Sequence, residues 1–312
     1  MNRRLPARLG EKPLKLRKRL RESWQLYILI LPALVYVFLF NYMPLVGAQI
    51  AFKNFRTSKG IWGSDWVGLK YFIQFINYPN FWKIIKNTLR ISIYTLLTFP
   101  IPVIFALLLN EVRNSKAKKL VQMVSYAPHF LSMVVVCSMF MLFLRKDTGV
   151  INNIIAMLGG ERKEYINIAE YFEDIYVWTG VWQNLGWDAI IYISALAGIS
   201  PDLVEAARID GADRVDIIRH VYLPGIANTI IIMLILSCGR ILTVGFEKTF
   251  LLQKSLNLSR SQVISTYVYE TGLLNAQYSY SAAISLFNTV VNFILVMIVN
   301  RISKKVSDVS LV

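Results

Sequence analysis

The sequence predicts an all-α membrane protein, a polytopic bundle of six transmembrane helices. Hydrophobic residues make up 55% of the 312 residues and the mean hydropathy is +0.47, above soluble domains, whose apolar share is just under half even with glycine counted. The apolar runs are each about 20 residues long, the length that crosses a ~30 Å hydrocarbon core. The net charge of +15 would indicate nucleic acid in a soluble protein. Here the basic residues gather at the amino terminus and near span ends, so they point to anionic membrane lipids and to no nucleic-acid partner.

Residues 1–23 form a basic segment, from Arg3 to Arg21, opposed only by Glu11 and Glu22; the positive-inside rule places it in the cytoplasm. The first apolar run, 24–47, is too long for a signal peptide and has no small-x-small cleavage signature, so it is read as a retained span. The loop 49–90 is basic apart from Asp65, which argues against an external position; the larger amino-terminal cluster overrides it. Span 2 covers 91–109, kinked by Pro100 and Pro102. The basic loop 110–119 returns to the cytoplasm, span 3 covers 120–144, and a net acidic external loop runs to 174. Span 4 is 175–198 and span 5 is 229–252. An external loop to 275 precedes span 6 at 278–299, and Arg301, Lys304 and Lys305 hold its end inside. The six-span body is thus 24–302, with a short cytoplasmic tail over 303–312 and both termini in the cytoplasm of a cell membrane protein.

Residues 200–228 are the one polar, helix-patterned stretch between two long apolar spans. Pro201 suits the first position of a helix and Asp202 its electropositive first turn, so a short helix should run through Glu205, Ala206, Ala207 and Arg208. Gly211 breaks it. A second short helix is expected over 214–222, ending at Leu223-Pro224 because the residue before a proline is pushed out of the α region. Two small helices around a glycine hinge make a rigid knob that a partner can push, with alanines allowing close approach.

No phosphate cradle of the form G-x-x-x-x-G-K-[ST] is present, so no ATP hydrolysis, catalytic residue or cofactor is expected of this chain. His129 and His220 lie far apart, and Cys137 and Cys238 fall inside apolar spans, so no metal site is expected. Polar residues inside spans are costly and mark inward faces. In span 4, Gln183, Asn184, Trp187 and Asp188 share one side, with Trp178 and Trp182 nearer the outer surface. In span 5, Ser237, Arg240, Thr243 and Glu247 follow one helical stripe, and in span 6 so do Ser281, Ser285, Asn288 and Asn292. One reading is a hydrated path for a polar solute, and the hydroxyls, amides and flat aromatic faces fit carbohydrate. The other is helix-to-helix hydrogen bonding within the bundle, with tryptophans in the interface belt.

Glu205-Ala206-Ala207, then Asp210-Gly211-Ala212, then Leu223-Pro224, resemble the cytoplasmic EAA loop of binding-protein-dependent ABC importer permeases. The segment G-F-E-K-T-F-L-L from Gly245, with V-I-S-T-Y-V-Y and L-L-N-A-Q-Y-S-Y-S-A-A-I-S-L-F-N, resembles the polysaccharide and oligosaccharide branch. It is similar to maltose-permease-type subunits without their large external domain. The resemblance implies an importer subunit that works with a second homologous permease, two ATPase subunits and an external solute-binding lipoprotein. It also implies that the loop residues seat a coupling helix in an ATPase cleft and that the cargo is a carbohydrate. Import of another solute and secondary transport are the alternatives. Asp188 and Arg240 fall at similar depth on consecutive antiparallel spans, which invites an ion pair; Arg240 could instead pair with the second permease or recognise an acidic sugar.

Overall fold

Long apolar helices set the architecture, because a backbone in hydrocarbon must satisfy its own hydrogen bonds. The structure, a computed structural model, describes residues 24–239 and 242–307. The expectations for residues 1–23, for Arg240 and for 308–312 lie outside the described residues. Among the described residues, four helices are long and apolar enough to cross a membrane: Trp24–Phe52, Phe81–Asn110, Arg214–Cys238 and Tyr278–Arg301. Two bent pairs, Ser115–Phe130 with Met133–Phe143 and Ala169–Ala197 with Pro201–Ile209, bring the count to six when each is read as one span.

Span 1 opens as α1 (Trp24–Val37), continues through a π turn (Phe38–Tyr42) and tightens to a 3-10 helix (Met43–Phe52). No side chain of α1 is buried; its apolar surface is left for lipid, while the 3-10 segment packs on the last span. A two-residue hairpin follows, β1 (Lys53–Asn54) antiparallel to β2 (Asp65–Trp66), with Lys53 opposite Trp66. Helix α2 (Lys70–Ile76) leads to span 2, which is α3 (Phe81–Leu97) and α4 (Pro100–Asn110).

Span 2 therefore begins ten residues before the predicted 91, because Lys83, Lys86 and Arg90 sit on its first turns. Arg90 lies 3.9 Å from Glu173, which also meets Arg260 at 3.2 Å. Lys53 donates to the Ile61 carbonyl and lies over the Trp62 and Trp66 rings, and Lys59 meets Asp65 at 3.7 Å. Part of the basic charge that argued against an external loop is thus compensated locally. The α-helical ladder is interrupted at Thr98-Phe99, just before Pro100, where 3-10-type bonds take over.

Span 3 is not one straight helix. α5 (Ser115–Tyr126) runs on as a 3-10 turn to Phe130, and α6 (Met133–Phe143) leaves at a 103° bend. Pro128 cannot donate to the ladder, and Ser132 caps the new helix by accepting from the Val135 amide. The freed Leu131 carbonyl accepts from the Gln183 side chain. Beyond it, α7 (Val150–Met157) folds back under Asn152, which is fully buried. Asn152 donates to the carbonyls of Leu144, Arg145 and Lys163 and accepts from the Lys163 amide.

Span 4, α8 (Phe172–Ala197), carries Glu173 and Asp174 on its first turn, where the helix dipole favours them. It packs on α3, α4 and α5. Gly186 is required there: a Cβ would come within 2.4 Å of the Ser125 carbonyl oxygen. A 72° bend at 198–200 then sends the chain into α9 (Pro201–Ile209).

Two expectations about the following segment need correction. The helix begun at α10 (Arg214–Ile217) does not stop at Leu223-Pro224; it passes through a π turn (Ile218–Tyr222) into α11 (Leu223–Cys238). Leu223 stays helical at φ −58°, ψ −48°. The wider π turn removes the α-type contact between the Pro224 ring and the carbonyl four residues back. Span 5 then ends at Cys238, not at 252. Gly239 caps it where a Cβ would meet Val296 of span 6 at 2.9 Å. The chain continues as short helices, α12 (Phe246–Leu252) and α13 (Ile264–Tyr269) among them, before span 6, α14 (Tyr278–Ser307).

Three buried clusters hold this together. One joins spans 2, 4 and 5 through Val103, Ala106, Ala189, Tyr192, Ile217 and Ile226. Another joins α2, span 2, α13 and span 6 through Phe75, Phe81, Tyr267 and Ile284. The third sets Ile91, Cys137, Phe172, Val244 and Leu252 against one another.

Candidate functional site

Two places carry the predicted functional residues: a cavity among the spans and the loop that links spans 4 and 5. The cavity, of about 730 Å³, is walled by spans 2, 4 and 5 and by the segment from Thr243 to Lys248. Its polar wall includes Ser92, Thr95, Asn184, Asp188, Ser237, Thr243, Glu247 and Lys248. Asn184 is held by donating to the Gly180 carbonyl at 3.1 Å, and its oxygen faces His129 Nδ1 at 2.9 Å. Gln183, also on the wall, keeps a buried Oε1 without a protein partner. Such groups hydrogen-bond hydroxyls well.

Ser237, Thr243 and Glu247 all reach this cavity, but not as one helical stripe, because the helix ends at Cys238. The strand of chain after it is fastened by span 6: Asn292 accepts from the Leu242 amide at 3.0 Å and donates to the Thr243 hydroxyl at 3.3 Å. Asn292 therefore braces the break. Asn288 has a buried oxygen without a protein partner, and Ser285 is exposed; neither lines this cavity.

The two tryptophans stand elsewhere. Trp187 stacks flat on His129, with ring centroids 4.2 Å apart and planes 4° from parallel, and Trp182 packs edge-on to Phe140 at 5.3 Å. Trp182 instead faces a shallower apolar recess with Leu120, Val124 and Pro128. The structure thus gathers Asn184, Asp188 and Glu247 in the cavity and leaves Trp182 and Trp187 on the flank of α8. Arg240 lies outside the described residues, so its pairing with Asp188 is not described.

In the loop, α9 ends in a Schellman motif. The Ala212 amide donates to the Ala207 carbonyl at 2.9 Å and the Gly211 amide to the Arg208 carbonyl at 3.1 Å. Gly211 sits at φ +86°, the left-handed value this cap requires. Asp210 is the last residue of the turn, and Asp213 with Asp216 forms a capping box that starts α10. Ala207 and Ala212 pack on the cluster under spans 2, 4 and 5. Glu205, Ala206, Asp210, Gly211, Leu223 and Pro224 are exposed. Glu205 makes no hydrogen bond or ion pair among the described residues, and Leu203, Ile209 and Val215 stand out around it, Ile209 at 86% exposure. The loop thus leaves a polar knob with apolar flanks exposed.

Residues 77–307 match the family described as binding-protein-dependent transport system inner membrane component. The chain belongs to this family. Over its length this permease is similar to the polygalacturonan/rhamnogalacturonan transport system permease protein YteP of Bacillus subtilis (strain 168), at 42% identity covering 96% of this chain and 93% of that one. It is equally similar, at 42% identity, to protein LplB of the same organism, covering 91% of this chain and 90% of that one. Its fold matches a chain of a bacterial ABC transporter involved in the import of the acidic polysaccharide alginate, with TM-score 0.87 and 36% identity, covering 94% of this permease and all of that chain. A related structure of the alginate transporter is in complex with an alginate pentasaccharide-bound periplasmic protein.

Other residues at the cavity and the span 3 break had no site role in the sequence reading. His129 sits at the span 3 break, and Tyr176, Gly180 and Lys248 form one contact between α8 and α12. The one available signal was a lysine inside an apolar run.

Proposed function

We propose that this permease is the membrane-spanning subunit of an ABC importer for oligosaccharides or polysaccharide fragments, and that cargo crosses through the cavity between spans 2, 4 and 5. The observation that carries this reading is a hydroxyl-, amide- and carboxylate-lined cavity in a chain whose relatives move polysaccharides. The energy comes from two separate ATPase subunits that dock on α9 through Glu205 and its apolar flanks. A second homologous permease completes the pathway, and an external solute-binding lipoprotein delivers the cargo. Both termini and the 200–228 loop face the cytoplasm.

The test is uptake by the complete assembly in proteoliposomes. Transport should require ATP and stop with vanadate. Glu205→Ala should leave membrane insertion intact, since the side chain has no hydrogen-bond or ion-pair partner among the described residues. It should weaken ATPase association by about 2–5 kcal/mol, the usual loss for a buried interfacial charge contact. Uptake that proceeds without any ATPase would refute the reading in favour of secondary transport.

A further inference from the structure

Lys248 is a cation built into the cavity wall with no ion-pair partner among the described residues. It is 5% exposed, and its Nζ donates to the Tyr176 carbonyl of α8 while lying 4.5 Å from the Tyr176 ring centroid. That ring is itself fixed, its hydroxyl accepting from the Gly245 amide at 3.1 Å. One turn along α8, Gly180 leaves the room the ammonium occupies, since a Cβ there would lie 3.0 Å from Nζ. Three separate features therefore seat this charge.

An ammonium has three donors, and the backbone carbonyl takes one. Among the described residues no carboxylate lies within 4.0 Å of Nζ, although Asp188 and Glu247 line the same cavity. Buried charges are ordinarily paired, and inside a membrane an unpaired one is costly. Lys248 lines the cavity proposed above as the cargo path.

We infer that Lys248 is a binding residue for a carboxylate of the cargo, and that the cargo is an acidic oligosaccharide built of uronic acid units. This deepens the carbohydrate reading above and rests on it. Each uronic unit carries one carboxylate beside several hydroxyls. The carboxylate accepts from the free donors of Lys248, while Asp188, Glu247, Asn184 and Thr243 take the hydroxyls. The names of two similar proteins, one for polygalacturonan and one for the acidic polysaccharide alginate, fit the same chemistry.

The experiment compares one backbone with and without its charge. The complete transporter, reconstituted with its partner subunits and binding protein, is given trigalacturonate and its fully methyl-esterified form, with neutral arabino- and malto-oligosaccharides and an oligoalginate in the same panel. Because the binding protein is the same throughout, its own preference cancels when each variant is divided by wild type. Lys248→Met fills the same volume without charge and should lower trigalacturonate uptake about tenfold or more, the scale of a charge-assisted hydrogen bond. Uptake of the ester should stay within about twofold, and Lys248→Arg should restore most of the acidic transport. Equal loss for acid and ester, or no loss for either, overturns the site. Failure of both variants to assemble assigns Lys248 to packing and overturns it too. Wild-type transport restricted to neutral sugars overturns the carboxylate site and leaves carbohydrate import standing; ATP-dependent transport of no sugar in the panel sinks both.

Discussion

Gly211 offers a perturbation in which strain is separated from contact. Its φ is +86° and a Cβ added there meets nothing within 4 Å, so Gly211→Ala introduces no clash. What it introduces is the left-handed penalty of an L side chain, about 1–2 kcal/mol. Asparagine visits this region more readily, so Gly211→Asn should cost less. The two Schellman bonds from Ala212 and Gly211 exist only in this conformation, and they set the direction in which α9 ends relative to α10. If the ATPase subunit recognises that arrangement, 1–2 kcal/mol against it lowers the fraction of competent loop, and the apparent affinity, by about 5- to 30-fold. The assay is binding of the purified ATPase subunit to the permease in nanodiscs, with cargo-stimulated hydrolysis alongside. The expected order is wild type, then asparagine, then alanine. Alanine binding as tightly as wild type would refute the reasoning, since it would mean the turn is not held left-handed when the partner is bound.

Gly186→Val should separate α5 from α8, because even the first added carbon would lie 2.4 Å from the Ser125 carbonyl oxygen; overpacking of this kind costs about 1–3 kcal/mol. A lower melting temperature of the purified permease checks it, and an unchanged one would show that the two helices do not touch there. Asn152→Ala strips partners from four backbone groups of the 144–163 fold, about 2–4 kcal/mol of local stability. Faster amide exchange and protease cleavage confined to that region is the expected result, and unaltered protection would remove Asn152 as its fastener.

The all-helical membrane class and the position of the loop were legible because they rest on composition and on turn residues. Lipid demands long apolar runs, and Pro201, Gly211 and Asp213 each announce a backbone event. The breaks were not legible for the same reason. Residues 229–252 are apolar apart from a stripe of polar residues at helical spacing, and that pattern reads as one span with an inward face. Gly239, Gly245 and the charges of Arg240, Glu247 and Lys248 marked the interruption, but a glycine inside a membrane helix is also a common packing residue and charges also line inward faces. At span 3 the pair Pro128 and Ser132 carried the bend, but a proline alone is tolerated within spans. Helical phase placed Asn184 and Asp188 together correctly. With 3.6 residues per turn they are about 40° apart, whereas Trp182 lies about 200° from Asn184. Periodicity gives such angles without saying which side is inward. Lys248 entered only within the G-F-E-K-T-F-L-L resemblance, because it was placed in a span that ends ten residues earlier, at Cys238.

The uninterrupted run from Arg214 to Cys238 has a mechanical meaning. It is 25 residues long, about 37 Å at 1.5 Å per residue, with the Asp213 capping box at one end and Ser237 on the cavity wall at the other. Had the chain stopped and restarted at Leu223-Pro224, a push on the loop would have been absorbed at a joint. As a single lever, a tilt of about 5° at the loop end sweeps the far end through about 3 Å. Asn292 ties the chain just beyond that far end to span 6, so in the proposed mechanism the stroke moves the span 5 wall of the cavity together with its brace on span 6, and no helix has to unwind to receive it.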